Sequence, residues 1–344
     1  MLPAIASIVL EATGAQSIEN SSVIQSLWSG YGHIVRLSLS GGAYPSVILK
    51  HIKLPEAGSH PRGWNTGLSH QRKIRSYQVE AYWYQHYAVD CAQDCVVPEC
   101  LSVKVLENET FLVLTDLNAA GYDARKSSVE ARDIQACLAW LASFHATFMD
   151  TNMGTNMGTK ADGLWECGTY WHLDTRPDEL AALSDVSLRE AAPLIDQKLR
   201  QCRYQTLVHG DAKLANFCFN LNHLTLEFSL ADTTLGVAAV DFQYIGRGCG
   251  MKDVAYFIGS CLNEQDCEAM ESQLLDFYFS VLRHRLAEKG LGVNVLELER
   301  EWRDLYPVAW ADFHRFIKGW SPDHWKINSY SEKLTKRVIE DLQP

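Results

Sequence analysis

Asp211, Asn216 and Asp241 are the residues of this 344-residue chain whose types and spacing speak most directly of chemistry. Phosphoryl transfer needs a carboxylate that takes the proton of an acceptor hydroxyl, and hard oxygen donors that hold a divalent cation against the nucleotide phosphates. Asp211 is the candidate base, because a hydroxyl is a poor nucleophile until its proton has somewhere to go. Asn216 and Asp241 are candidate magnesium ligands. Lys213, two positions after the base, is placed to offset charge that develops on the transferred group. A lone Asp and Asn at this spacing is a common surface turn. Here an apolar run over 206–208 and His209-Gly210 lead in, an apolar strand follows, and Val240-Asp241-Phe242 ends a later strand. That context points to ATP-dependent transfer of a phosphoryl group to a hydroxyl of a small organic acceptor, with ATP against GTP left open.

Four further groups belong to the same reading. Lys50 ends the apolar run 47–50, so its ammonium should emerge at a strand end, where it could bind α- and β-phosphates. Glu80 is the one acidic residue of the helix expected over 71–87, and is the natural partner to orient that lysine. Ser29-Gly30-Tyr31-Gly32-His33 lies between two strands, and its glycines could let backbone N–H groups approach phosphate; an ordinary β-turn is the competing reading. His209 is expected to brace the loop rather than to react. Asp253 is expected either to cap a helix N-terminus or to tie the catalytic loop through backbone N–H groups.

These residues need elements to hold them. Short apolar or alternating runs at 23–28, 34–39 and 47–53, broken by glycines, read as strands. A polar, Gly/Pro-rich loop over 55–69 precedes the helix at 71–87, which carries Ile74, Tyr77, Ala81 and Tyr84 at helical spacing. A hairpin is expected around Asn108-Glu109. From Val129 the pattern turns helical, with an amphipathic stretch over 180–202. Strands return at 217–219, 224–228 and 237–240, and everything after Asp253 reads as helix. The tandem repeat at 151–158 reads as a loop with no chemistry. The expected fold class is α+β, two-lobed and protein-kinase-like: a small antiparallel sheet lobe over 1–117, and a larger, mainly helical lobe over 118–344. Residues 115–119 form the hinge.

Bulk properties exclude more than they select. A chain of this length exceeds the size at which one core stops growing. Its 47% hydrophobic content rules out global disorder. A net charge of −11 argues against a nucleic-acid partner, which calls for clustered Lys and Arg. No apolar run approaches the roughly 18 residues of a membrane span. The apolar N-terminus lacks a basic lead and reaches Glu11 within ten residues, so a signal peptide is not expected. Ten cysteines without a C-x-x-C pair read as reduced thiols in a cytoplasmic protein. Cys91, Cys95 and Cys100 form the one tight cluster, with no histidine pair at ligand spacing nearby. The C-terminal aromatic residues Trp302, Tyr306, Trp310, Phe313, Phe316, Trp320 and Trp325 read mostly as core. The sharper alternative is a cleft wall for an organic acceptor, a cation included.

With those residues in place, the chain resembles the superfamily of aminoglycoside phosphotransferases and choline kinases, and within it the ecdysteroid-kinase-like (CHK kinase-like) group. The strings that carry the likeness lie at 47–50, 76–80, 111–117 and 141–146, then His209-Gly210-Asp211 with Asn216, Val240-Asp241-Phe242-Gln243, and 253–257. They run in the family's order from about residue 30 to about residue 260. The resemblance implies that Lys50 and Glu80 are the nucleotide-lobe ion pair, and that Thr115, Asp116 and Leu117 are the adenine hinge. It implies Asp211 as base, and Asn216 and Asp241 as magnesium ligands. Departures are visible: Val35 stands at the third glycine position of the phosphate loop, and Gln243 stands where protein kinases carry the glycine after Asp-Phe. Twelve residues separate Asp241 from Asp253, which leaves little room for a protein-kinase activation loop. The competing readings are a catalytically inactive nucleotide-binding protein on the same fold and, less well supported, a protein kinase. The acceptor (choline-like, aminoglycoside-like or steroid-like) and the oligomeric state are left open by the sequence.

Overall fold

The computed structural model describes residues 3–27, 30–53, 67–91, 94–150, 161–224, 229–230 and 235–342. Trp28 and Ser29, most of the loop expected over 55–69, the tandem repeat at 151–158, and the strand expected beyond Leu224 lie outside them.

A five-stranded antiparallel sheet opens the chain: β1 (Ser17–Ser26), β2 (Gly32–Ser40), β3 (Ser46–Lys53), β4 (Cys100–Leu106) and β5 (Glu109–Thr115), in the order β1-β2-β3-β5-β4. Period-two alternation gives the sheet two different faces. Val47 and Leu49 of β3, with Phe111 and Val113 of β5, pack on Val9 and its neighbours in α1 (Pro3–Thr13). Lys50 points the other way, toward α2 (Gly67–His86). The apolar N-terminus is thus a helix that covers the outer face of the sheet. Helix α2 starts four residues before the expected Gln71.

The remainder is mostly helical. Helix α3 (Ala131–Thr147) is buried along most of its length and packs on α7 (Glu264–Glu288). The amphipathic stretch over 180–202 is two helices, α4 (Pro177–Ala182) and α5 (Val186–Arg200). The chain breaks between them because Leu183 is extended and the Asp185 side chain accepts the Leu188 N–H, capping a new helix. By contrast, residues 295–320 form one helix, α8 (Val295–Trp320), which runs through Pro307. Proline removes one hydrogen bond there. Packing outweighs that loss, because Trp302, Leu305, Tyr306, Val308, Ala309 and Trp310 are all buried. Helix α9 (Ser329–Leu342) closes the described chain against α8.

Two small ribbons sit between the halves. β6 (Thr206–Val208) pairs with β9 (Gly246–Gly248), a strand the sequence pattern did not suggest, and β7 (Phe217–Phe219) pairs with β8 (Val237–Ala239). Helix α6 (Met251–Cys261) follows β9. One continuous apolar cluster runs from Leu27, Tyr77 and Leu112 through Trp140 and Phe144 to Trp302 and Tyr330, so sheet and helices share a core. Among the described residues no helix is long and apolar enough to cross a membrane.

Candidate active site

Antiparallel pairing explains how residues far apart in sequence meet. β7 begins just after Asn216 and β8 ends just before Val240, and Phe217 pairs with Ala239. The Val240 N–H donates to the Asn216 carbonyl at 3.0 Å. Asn216 and Asp241 therefore stand side by side at one end of this ribbon. Asp241 has φ 71°, a left-handed conformation in which a non-glycine residue stores strain, and such strain concentrates at functional sites.

Asp211 lies on the turn between β6 and Asn216. Gly210 has φ +80°, and a Cβ there would meet the Tyr244 carbonyl oxygen at 2.1 Å, so no other residue fits without displacing the backbone. His209 donates its Nε2–H to the Val240 carbonyl at 3.0 Å and accepts the Asp211 N–H on Nδ1 at 3.2 Å. Both ring nitrogens are committed to main chain, so His209 braces the loop, as expected. Asp253 sits in the first turn of α6 behind the Gly250 cap, and so is not the cap itself. Its carboxylate instead accepts the N–H groups of His209 (2.6 Å) and Gly210 (2.9 Å), which is the tie reading.

The Asp211 carboxylate accepts from Lys213 Nζ at 2.9 Å, Asn216 Nδ2 at 3.2 Å and the Tyr256 hydroxyl at 3.1 Å. Because Tyr256 has a single hydroxyl proton and gives it to the carboxylate, the Tyr170 hydroxyl 3.2 Å away acts as donor to Tyr256. Burial pushes the Asp211 pKa up, further than the Lys213 charge pulls it down, and the Asp241 charge adds to the rise. Burial also works against ionised Asp241, but there Lys50, Lys73 and Lys213 prevail and hold its pKa below the usual range. One carboxylate is tuned toward proton acceptance and the other toward permanent charge, the division that acid–base sites exploit.

Lys50 Nζ lies 2.6 and 2.8 Å from the two Glu80 carboxylate oxygens and 3.8 Å from Asp241 Oδ1. Burial opposes its charge, but those carboxylates raise its pKa above the ordinary lysine value. Asp116 is buried and bound by Arg36 (2.7 Å), Ser46 (2.7 Å) and the Asn118 N–H (3.0 Å). Its side chain pins the segment around 116, and Thr115 and Leu117 line the cavity beside it. Gly30 and Gly32 sit at the β1–β2 turn. The Gly30 N–H donates to the Leu27 carbonyl at 3.2 Å, so it is spent inside the turn. Gly32 (φ +126°) lets the His51 carbonyl approach where a Cβ would collide at 2.0 Å.

One cavity of about 920 Å³ collects most of these groups: Lys50, Glu80, Thr115, Asp116, Leu117, Asp211, Lys213, Asn216 and Asp241 all line it, and Gly30 and Gly32 do not. Sequence reasoning missed one cation that lines it. Lys73, two turns before Glu80 on the same face of α2, hydrogen-bonds Gln243 at 2.7 Å, and Gln243 in turn donates to Asp241 at 2.7 Å. Burial lowers the Lys73 pKa to about 8. The helical register relative to Glu80 was the available signal. The C-terminal aromatic residues divide. Trp302, Tyr306 and Trp310 are core, whereas Phe316 and Trp320 line the cavity with Tyr170, Tyr244 and Arg176. Tyr256, Phe313 and Trp325 surround the Lys326 ammonium at 4.6, 5.2 and 5.6 Å, so this aromatic cage is filled from within the chain.

The model of the ecdysteroid kinase-like family matches residues 151–291, the stretch that carries Asp211, Asn216 and Asp241. No curated protein sequence matches the chain. Among solved structures, amicoumacin kinase hAmiN in complex with AMP-PNP, Ca2+ and Ami aligns over 98% of this chain and 92% of its own, at 12% identity and a TM-score of 0.54. Choline kinase from Cryptosporidium parvum Iowa II aligns over 98% and 94%, at 9% identity and a TM-score of 0.51. At such identities the likeness is one of fold, and it is the two-lobed kinase-like fold that the sequence suggested. Family model and fold together support the superfamily resemblance drawn from the motifs.

Proposed function

We propose that this chain is a small-molecule kinase of the aminoglycoside phosphotransferase and choline kinase superfamily, transferring the γ-phosphate of ATP to a hydroxyl of a small organic acceptor. The observation that carries this reading is the arrangement of Asp211, Asn216, Asp241 and the Lys50–Glu80 pair around one cavity whose size suits a nucleotide and a small molecule together. We place the lobe boundary at the 115–119 hinge, with 1–117 as nucleotide-binding lobe and 118–344 as acceptor lobe, and the protein in the cytoplasm.

Each residue then has a task. Main chain at Thr115, Asp116 and Leu117 meets the adenine. Lys50, held by Glu80, binds the α- and β-phosphates. The Asn216 amide oxygen and the ionised Asp241 carboxylate are hard donors that fit magnesium, which when bound would neutralise phosphate charge. Asp211 accepts the acceptor's hydroxyl proton while Tyr256 and Lys213 fix the carboxylate's orientation. Lys213 and Lys73 supply positive charge beside the transferred group.

The acceptor end has an aromatic wall of Tyr170, Tyr244, Phe316 and Trp320, with Arg176 stacked on Phe316 at 5.0 Å. Together with the Lys326-filled cage, this favours an acceptor with an apolar face over a small organic cation. The testing experiment is a screen of hydroxylated metabolites for acceptor-dependent ADP release with magnesium and ATP, with a peptide panel alongside. Release with alcohols and not with peptides supports the proposal. Magnesium-dependent ATP binding with no turnover on any acceptor favours the inactive reading instead.

A further inference from the structure

We infer that the chain carries a second metal site, unconnected with nucleotide chemistry: a structural zinc bound by Cys167, His172 and Asp196. The three side chains are buried, and one donor atom from each lies within 4.8 Å of the others. It is the one cluster of this kind among the described residues. The cysteines grouped in sequence, Cys91, Cys95 and Cys100, do not form one.

The contact between His172 and Asp196 is the telling one. His172 Nε2 and Asp196 Oδ1 are 3.3 Å apart, an ion-pair distance, and both are shut off from solvent, but they lack the alignment of a geometric hydrogen bond. Buried polar atoms are rarely left without a well-aligned partner. A nitrogen and an oxygen that bind one tetrahedral zinc at their usual lengths are separated by about 3.3 Å, without pointing at each other. The observed pair has that spacing and that misalignment. Cys167 completes a Cys-His-Asp set of the ligand types zinc takes, leaving the fourth position for water.

The surroundings suit the ion. A cavity of about 260 Å³, separate from the nucleotide cleft, is lined by Cys167 and Lys252 but by neither His172 nor Asp196, so it approaches the site from the sulfur side. Lys252 Nζ lies 3.6 Å from the Cys167 sulfur, so it can hydrogen-bond a thiolate, and 3.5 Å from Asp312, which balances its charge. Arg200 lies 3.7 Å from the second oxygen of Asp196. Such outer contacts orient ligands and stabilise their anionic forms. Two anionic ligands and one neutral imidazole around Zn2+ leave no net charge to bury.

The local chain explains how the ligands converge. Trp165 bridges to Gly246, Gly168 donates to the Arg247 carbonyl, and Thr169 takes φ 110°, turning the chain back so that His172 returns toward Cys167. Asp196 arrives from α5. The strained Thr169 N–H binds the Tyr244 carbonyl, and the Tyr170 N–H binds that of Gly210. A metal here would clamp the segment that carries Tyr170, the partner of Tyr256 on Asp211.

The test uses the full chain, freed of metal and titrated with Co2+ alone. The site predicts one equivalent bound with tetrahedral visible bands and a thiolate-to-cobalt charge-transfer band, displaced by Zn2+, and a rise in Tm with Zn2+. Cys167→Ser should lose the charge-transfer band and most of the Tm response, and Asp196→Asn should weaken Co2+ binding at least tenfold. Asp241→Asn, which alters only oxygen donors in the cleft, should leave the band in place. Absence of tetrahedral bands in the wild type, or their full retention in Cys167→Ser, would overturn the assignment. So would alkylation of Cys167 at an unchanged rate with stoichiometric Zn2+ present. None of these readouts depends on turnover, so the site stands or falls apart from the kinase proposal.

Discussion

Asp253 Oδ2 accepts the main-chain N–H of His209 at 2.6 Å, across 44 residues of sequence. The other oxygen takes the N–H of Gly210, and His145 Nε2 donates to the same carboxylate at 3.2 Å while its Nδ1 meets the Tyr278 hydroxyl. One buried side chain thus sets the two peptide units that precede Asp211. Asp253→Ala would leave two buried N–H groups and a histidine donor unpaired, so stability should fall by about 2–5 kcal/mol. Urea unfolding measures this. A loss below about 1 kcal/mol would show that the loop is held elsewhere.

The Lys50–Glu80 pair makes a prediction in two steps. Lys50→Met leaves Glu80 buried without its partner and should destabilise the fold by about 3–5 kcal/mol. Adding Glu80→Leu should return most of that stability, because a well-packed apolar pair replaces a buried ionic one at little net cost. On the proposed role of Lys50 as the phosphate-binding cation, catalysis should not return. Recovery of turnover in the double variant would remove the pair from its nucleotide role.

The pH dependence follows from the two shifted groups. Asp211 must be ionised to accept a proton, and burial raises its pKa, so kcat/KM should fall on the acid side at a higher pH than an ordinary aspartate would give. Lys73 loses its charge as pH rises through about 8, so the alkaline limb should begin there. Lys73→Arg keeps the charge and should flatten that limb. A profile unchanged by Lys73→Arg would show that this ammonium does not act on the transferred group.

Lys326 fills the cage of Tyr256, Phe313 and Trp325, which gives a direct handle on acceptor class. Choline and tetramethylammonium should not compete with the acceptor in the wild type. Lys326→Ala empties the cage and should create measurable affinity for tetramethylammonium, since desolvated aromatic faces attract such cations. Calorimetric titration checks both. Binding of equal strength to the wild type would place the cationic subsite elsewhere in the cleft.

Much of the fold and of the candidate site was legible in the sequence, for physical reasons visible in particular residues. β2, β3 and β5 have one face on α1 and the other on the cleft, so their alternation and apolar content stood out. Asp211, Asn216 and Asp241 stood out because each lies close to a short apolar strand, a local signal. β9 (Gly246–Gly248) was not found, because three residues with two glycines carry no periodicity and the strand exists only through its pairing with β6. The continuity of α8 was hidden by Pro307, whose local penalty is outweighed by buried aromatic residues that only tertiary contacts reveal. Lys73 and the Cys167, His172 and Asp196 cluster escaped for a related reason. Gln243 is 170 residues from Lys73, and Asp196 lies on α5 while Cys167 and His172 lie in the segment before α4.

The most direct test of the central claim separates binding from chemistry at Asp211. Wild type and Asp211→Asn are compared for magnesium-dependent ATP affinity by calorimetry, and for phosphoryl transfer to the acceptor found by screening. Nearly equal ATP affinity is expected, with a kcat lower by about a hundredfold to ten-thousandfold, the scale of a lost general base. Turnover within a few-fold of wild type in Asp211→Asn would contradict it.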